Sequence, residues 1–128
     1  MVVIFTEDWR FLEICERIIE SCGFDVKGEI TDKFNDEFLN NLKNVEILVI
    51  EIGKKFEKEE EIIRKVKDKF KNCKILLLVS EINQHFEHLL SNFNINSYLI
   101  SPFLYFHLIR ALLILSQKDG IKPQRFTF

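Results

Sequence analysis

Residues 45–53 read VEILVIEIG: four aliphatic side chains, Ile47 to Ile50, then a carboxylate, Glu51, two residues before Gly53. A run that is apolar at consecutive positions suits a strand covered on both faces, as in parallel sheets. In open α/β sheets the carboxyl ends of the strands carry the chemistry. Glu51 therefore marks a candidate site, and the order of the remaining segments decides what surrounds it.

Working outward, Val2–Phe5 is a short apolar strand ended by Thr6, Glu7 and Asp8. The spacing predicts a helix over 9–21 with Phe11, Cys15, Ile18 and Cys22 on one stripe and Leu12 and Ile19 beside it, closed by Gly23. A weaker strand fits 25–30. Thr31-Asp32 caps a helix carrying Phe34, Phe38 and Leu42 at i, i+4 and i+8. After the opening strand, 56–70 predicts a charge-rich helix with Ile63, Val66 and Phe70 buried. Its acids lie early and its lysines late, in accord with the helix dipole, and Glu60–Arg64 and Glu61–Lys65 are i, i+4 pairs. KILLLV at 74–79 is another buried strand, ended by Ser80. A helix over 83–92 uses Phe86, Leu89, Leu90 and Phe93. Ser97–Ile100 is a strand ended by Ser101-Pro102, and a last helix spans 103–116. Strands alternating with helices give a parallel sheet with helices on both faces, because crossovers are right-handed. The expected layout is one domain over 1–117 and a tail over 118–128.

The totals agree with one α/β domain. The chain has 128 residues, 47% hydrophobic, with thirteen Phe, enough for a single filled core. Charged residues make up 30% and nearly cancel, leaving −2, which gives no field for nucleic acid or an anionic membrane. No apolar run approaches the ~18 residues of a membrane span. The start has neither a basic region nor a cleavage motif, which argues for a cytoplasmic protein. Cys15, Cys22 and Cys73 are odd in number and lack CxxC spacing, so they read as reduced, buried small hydrophobes. The acidic, bulky TEDWRF after the first strand replaces the glycine-rich loop of a nucleotide or flavin binder.

VVIFTED at 2–8, VEILVIE at 45–51, KILLLVS at 74–80 and NSYLISPF at 96–103 together resemble the receiver domain of two-component response regulators. The resemblance covers 2–116. It implies a flavodoxin-like (βα)5 three-layer sandwich with a five-stranded parallel sheet in the order 2-1-3-4-5. It also implies a Mg²⁺-assisted phosphoryl transfer to an aspartate, with a hydroxyl and a lysine nearby, since charge on a transferring phosphoryl must be balanced. Here the acceptor position holds Glu51. Its extra methylene misplaces the attack, and a misplacement of about 1 Å can cost about 100-fold. The acid pair falls on Thr6 and Glu7, with Asp8 one residue later. Ser80 keeps the hydroxyl, Tyr98 is the switch aromatic, Ser101 stands for the lysine, and Pro102 is the cis-proline candidate. The reading is a degenerate receiver, not an enzyme, that works by contact with a protein partner. Its alternative is a phosphorylatable or metal-binding receiver using Glu7, Asp8 and Glu51, with Mg²⁺ bound weakly or not at all.

The histidines carry bland readings. His85 and His88 at i, i+3 form an exposed helix-surface pair without a third ligand, and His107 is a surface or interface histidine. The last helix, FLYFHLIRALLIL at 103–115, has His107 and Arg110 as its strong polar positions. A helix packed on one face of a sheet shows a polar side. Something must cover this one, and a second copy is expected to do so through Tyr98, Phe103, Tyr105, Phe106, His107 and Arg110, with the tail as the rival cover.

Overall fold

The protein is described from a computed structural model over residues 1–117. The expected boundary and tail at 118–128 lie outside the described residues. Five strands, β1 (Val2–Thr6), β2 (Val26–Ile30), β3 (Ile47–Ile52), β4 (Lys74–Val79) and β5 (Ser97–Ile100), form one parallel sheet in the order β2-β1-β3-β4-β5. Between and after them lie α1 (Trp9–Ser21), α2 (Asp36–Asn40), α3 (Phe56–Lys69), α4 (Gln84–Asn92) and α5 (Tyr105–Leu115). This is the flavodoxin-like sandwich that the receiver resemblance implies. Among the described residues no helix is long and apolar enough to cross a membrane.

Alternation along each strand builds two cores, one per face. Val3, Phe5, Leu48, Ile50, Leu77 and Val79 pack with Phe34, Ile62, Ile63, Val66, Phe86 and Leu89 from the α2–α4 side. Val2, Ile4, Val49, Leu76, Leu78 and Leu99 pack with Leu12, Cys15, Ile19, Leu108 and Leu112 from α1 and α5. Continuing this period of two past the last aliphatic residue puts Thr6, Glu51, Ser80 and Ser101 on the α1–α5 face. The strand periodicity thus collects four polar residues at one end of one face.

Several local expectations change. Leu12 and Ile19, expected beside the stripe of α1, are with Cys15 its buried residues, while Cys22 is exposed at the helix end. Gly23 follows with φ +93°, the left-handed position that glycine tolerates. Gly28 serves a different purpose: a Cβ there would meet Leu12 Cδ1 at 2.5 Å, so its absence lets α1 close on β2. The second helix is shorter than its i, i+4, i+8 pattern suggests. Thr31–Lys33 is a 3-10 turn, Phe34 is extended, and the N-cap is Asn35, whose side chain accepts the Phe38 N–H. Three phenylalanines drive this. Phe5, Phe34 and Phe38 meet edge to face at 5.5–6.3 Å, and burying Phe34 in an extended segment outweighs one more helical turn. Leu90 is exposed rather than packed. Of the two predicted pairs on α3, Glu61–Lys65 forms at 3.2 Å, whereas Glu60 turns to His88 at 2.8 Å.

Candidate functional site

At the carboxyl end of the sheet, β1 and β3 run side by side, with Phe5 opposite Ile50. Thr6 and Glu51 are the next residues on each strand. The fully buried Thr6 hydroxyl donates to Glu51 Oε1 at 2.6 Å and accepts the Asp8 N–H at 3.1 Å. Among the described residues the hydrogen-bond partner of Glu51 is Thr6, not Ser80. Asp8 caps α1, its Oδ1 accepting the Arg10 and Phe11 N–H groups at 3.0 and 3.3 Å. Glu7 points away and accepts the Asp32 N–H at 2.9 Å. Desolvation is the largest influence on Glu7 and raises its pKa.

Asp8, Glu51, Ser80 and Ser101 line a cleft of about 490 Å³ walled by Phe11, Pro102, Phe103 and Tyr105. The Ser101–Pro102 bond is cis, as the resemblance implies. Phe11 stacks on Tyr105 at 6.3 Å, which ties the start of α1 to the start of α5. The charge of Glu51 reaches inward. Burial first, then Glu51, pushes the Cys15 thiol up to about 12.

A divalent cation needs converging oxygen ligands; Asp8 and Glu51 line one cleft, and Glu7 does not join them. Thr6 offers a hydroxyl, Glu7 is held by Asp32, and one oxygen of Asp8 is held by helix amides. Among the described residues no three of His, Cys, Asp and Glu come together as a metal site. The Glu7–Asp8–Glu51 set is therefore not assembled.

The opposite face of the same edge holds a pair that the sequence reading missed. Glu59 is fully buried in α3. Its Oε2 accepts the Gly53 and Lys55 N–H groups at 2.8 and 3.3 Å, and its Oε1 lies 3.0 Å from His85 Nε2. His85 is not an exposed surface histidine: its side chain is 7% accessible and stacks on Phe56 at 4.0 Å. One carboxylate thus fixes the loop after Glu51 to the first turn of α4. The pair with His88 and Glu60 beside it is exposed, as expected of a surface histidine.

Beyond the cleft, α4, β5 and α5 frame a groove of about 650 Å³ lined by Leu90, Tyr98, Ile100, Phe103 and His107. Tyr98 packs edge to face on Phe86 at 5.1 Å and remains 42% exposed. Phe106 is 62% exposed with the Arg110 guanidinium over its ring at 5.9 Å.

No family model and no curated protein matches this chain. Solved structures do. A response regulator receiver domain protein from Clostridium thermocellum superposes with a TM-score of 0.73 at 14% identity, covering 89% of this chain and 91% of that one. A CheY-like receiver domain protein from Methanospirillum hungatei gives 0.72 at 15% identity, over 88% and 89% of the two chains. A response regulator from Thermotoga maritima gives 0.70 at 17% identity, over 89% and 94%. With the strand order, the cis Ser101–Pro102 bond and the polar edge already in place, these likenesses fix the architecture: the chain has the fold of a response-regulator receiver domain.

Proposed function

We propose that this chain is a receiver-like signalling protein of the cytoplasm. It works through protein–protein contacts and accepts no phosphoryl group at the position receivers use. The observation that carries the reading is the 2.6 Å hydrogen bond from Thr6 to Glu51. It draws the longer carboxylate sideways along the sheet edge, and Ser101 adds no positive charge to the cleft. Phosphoryl transfer without a cation to balance developing charge lacks its main source of stabilisation. Incubation with Mg²⁺ and a small acyl phosphate, followed by intact mass, should leave the chain unmodified. Stable gain of one phosphoryl group that Glu51→Gln abolishes would overturn the proposal.

The output surface in this reading is the α4–β5–α5 face, where two copies associate through Tyr98, Phe103, Tyr105, Phe106, His107 and Arg110. The groove and its exposed apolar residues support it, since contiguous apolar surface marks contact sites. Light scattering should report a dimer. Ile100→Lys, which places a charge at a position already 44% exposed, should return a monomer with unchanged circular dichroism. A monomer before the substitution would remove the dimer from the proposal.

A further inference from the structure

A buried carboxylate is tolerated only where it is paired and hydrogen-bonded, and Glu59 uses both of its oxygens to join two separate elements. Oε2 takes the Gly53 and Lys55 N–H groups of the loop after β3, and Oε1 takes the Nε2–H of His85 in the first turn of α4. The ring of Phe56 stacks on His85 and shields this bond from water.

Helix α4 depends on such a tie. It has nine residues, a length at which a helix owes its stability and placement to tertiary contacts. Its buried anchors, Phe86 and Leu89, are apolar, and apolar burial is non-directional. Its other polar link to α3, His88 with Glu60, is exposed, and exposed pairs contribute little. The His85–Glu59 bond is both directional and buried, so it fixes the rotation at which α4 sits against the sheet. Phe86 follows His85 directly. Its N–H is held by Asn83 Oδ1 at 3.0 Å and its ring meets Tyr98 edge to face at 5.1 Å. Tyr98, together with Leu90 of α4 itself, lines the groove between α4, β5 and α5. A rotation of α4 therefore moves Phe86 and Leu90 together and re-aims the Tyr98 ring.

We propose that Glu59 and His85 are positioning residues for this groove: their hydrogen bond sets the rotation of α4, and with it the placement of Leu90 and Tyr98. The inference deepens the proposed contact function and rests on it for the effect on association; the effect on the groove needs no partner. The route stays on the α2–α4 face and does not pass through Ser80, which lines the cleft on the other face.

The test compares His85→Gln, whose side-chain amide can donate close to where Nε2 does, with His85→Leu, which cannot donate. His88→Gln, at the exposed pair, is the control. Both His85 variants lose the stack on Phe56, so a difference between them reports the hydrogen bond. In the leucine variant the chemical shifts of Leu90, Tyr98 and Ile100 should change. The dimer dissociation constant, read where circular dichroism shows the chain folded, should rise about tenfold. The glutamine variant should stay within about twofold of the unmodified chain, and the control should match it. Groove shifts that the leucine variant leaves unchanged, or that the two His85 variants alter equally, would overturn the proposal. A monomeric unmodified chain removes the dimer from the proposed function, and the groove shifts then decide this inference alone. The unmodified chain gives a check that needs no variant. Its His85 Nε2 proton should exchange slowly with water, as a buried donor does. A proton in fast exchange would overturn the proposal even where His85→Leu fails to fold.

Discussion

Glu59→Ala is expected to lower the unfolding free energy by about 3 kcal/mol, the scale for orphaned buried polar groups and broken buried pairs. The side chain is fully buried, so water does not replace it readily. Its removal leaves the Gly53 and Lys55 N–H groups without an acceptor and His85 without its partner in a site 7% accessible. The N-cap of α3, Lys55, supplies no side-chain cap; Glu59 performs that job from the next turn. The loss should appear in urea as a lower midpoint at unchanged slope. The Gly53 and Lys55 amides should also exchange faster, because the loop they anchor opens locally. Glu59→Gln keeps a carbonyl for the two amides, so its cost should be smaller, about 1 kcal/mol. A cost below about 1 kcal/mol for the alanine variant would mean that the loop repairs its hydrogen bonds unaided.

Glu59 also shows where the sequence was legible and where it was not. Ile62, Ile63 and Val66 lie three, four and seven residues after it, the spacing of one helix face. The signal for burial was there, but a run of three glutamates reads as a solvated face because isolated carboxylates are almost never buried. What makes this one tolerable is its set of partners, Gly53, Lys55 and His85, and composition cannot foresee them. Strands were legible for the opposite reason. VVIF, ILVI and KILLLV are buried on both faces, so no pairing detail is needed to recognise them. The edge strand β2 and the five-residue α2 were blurred, since tertiary contacts of Phe34 and Phe38 set their limits. At the cleft, the sequence placed Glu51, Ser80 and Ser101 at the right edge. It did not foresee that the Thr6 hydroxyl would take Glu51, nor that Glu7 would turn to Asp32. Both follow from side-chain direction, which strand order alone does not specify.

The largest single effect is expected at Phe5, where Phe5→Ala should cost about 4 kcal/mol, within the usual range for a buried aromatic truncated to alanine. Phe5 is fully buried in the second strand from the β2 edge and contacts the rings of Phe34 and Phe38 at 5.6 and 5.5 Å. Those rings hold the stretch between the 3-10 turn and α2, which has little regular structure of its own. Truncation therefore removes transfer energy, opens a cavity and releases both edge-to-face pairs. Phe5→Leu should cost less, about 1–2 kcal/mol, because most of the volume remains. The consequence extends to the cleft. Phe5 is bonded to Thr6, and the position of the Thr6 hydroxyl under Glu51 depends on β1 keeping its register against β3. Loosening Phe5 should thus weaken the Thr6–Glu51 hydrogen bond as well as the core. Urea unfolding gives the global cost. If the alanine variant unfolds too readily for further work, the leucine variant reports the local change through the chemical shifts of Thr6 and Glu51. A global loss below about 2 kcal/mol for alanine would show that Phe34 and Phe38 collapse into the space, and that the aromatic cluster holds the α2 segment less firmly than its geometry indicates.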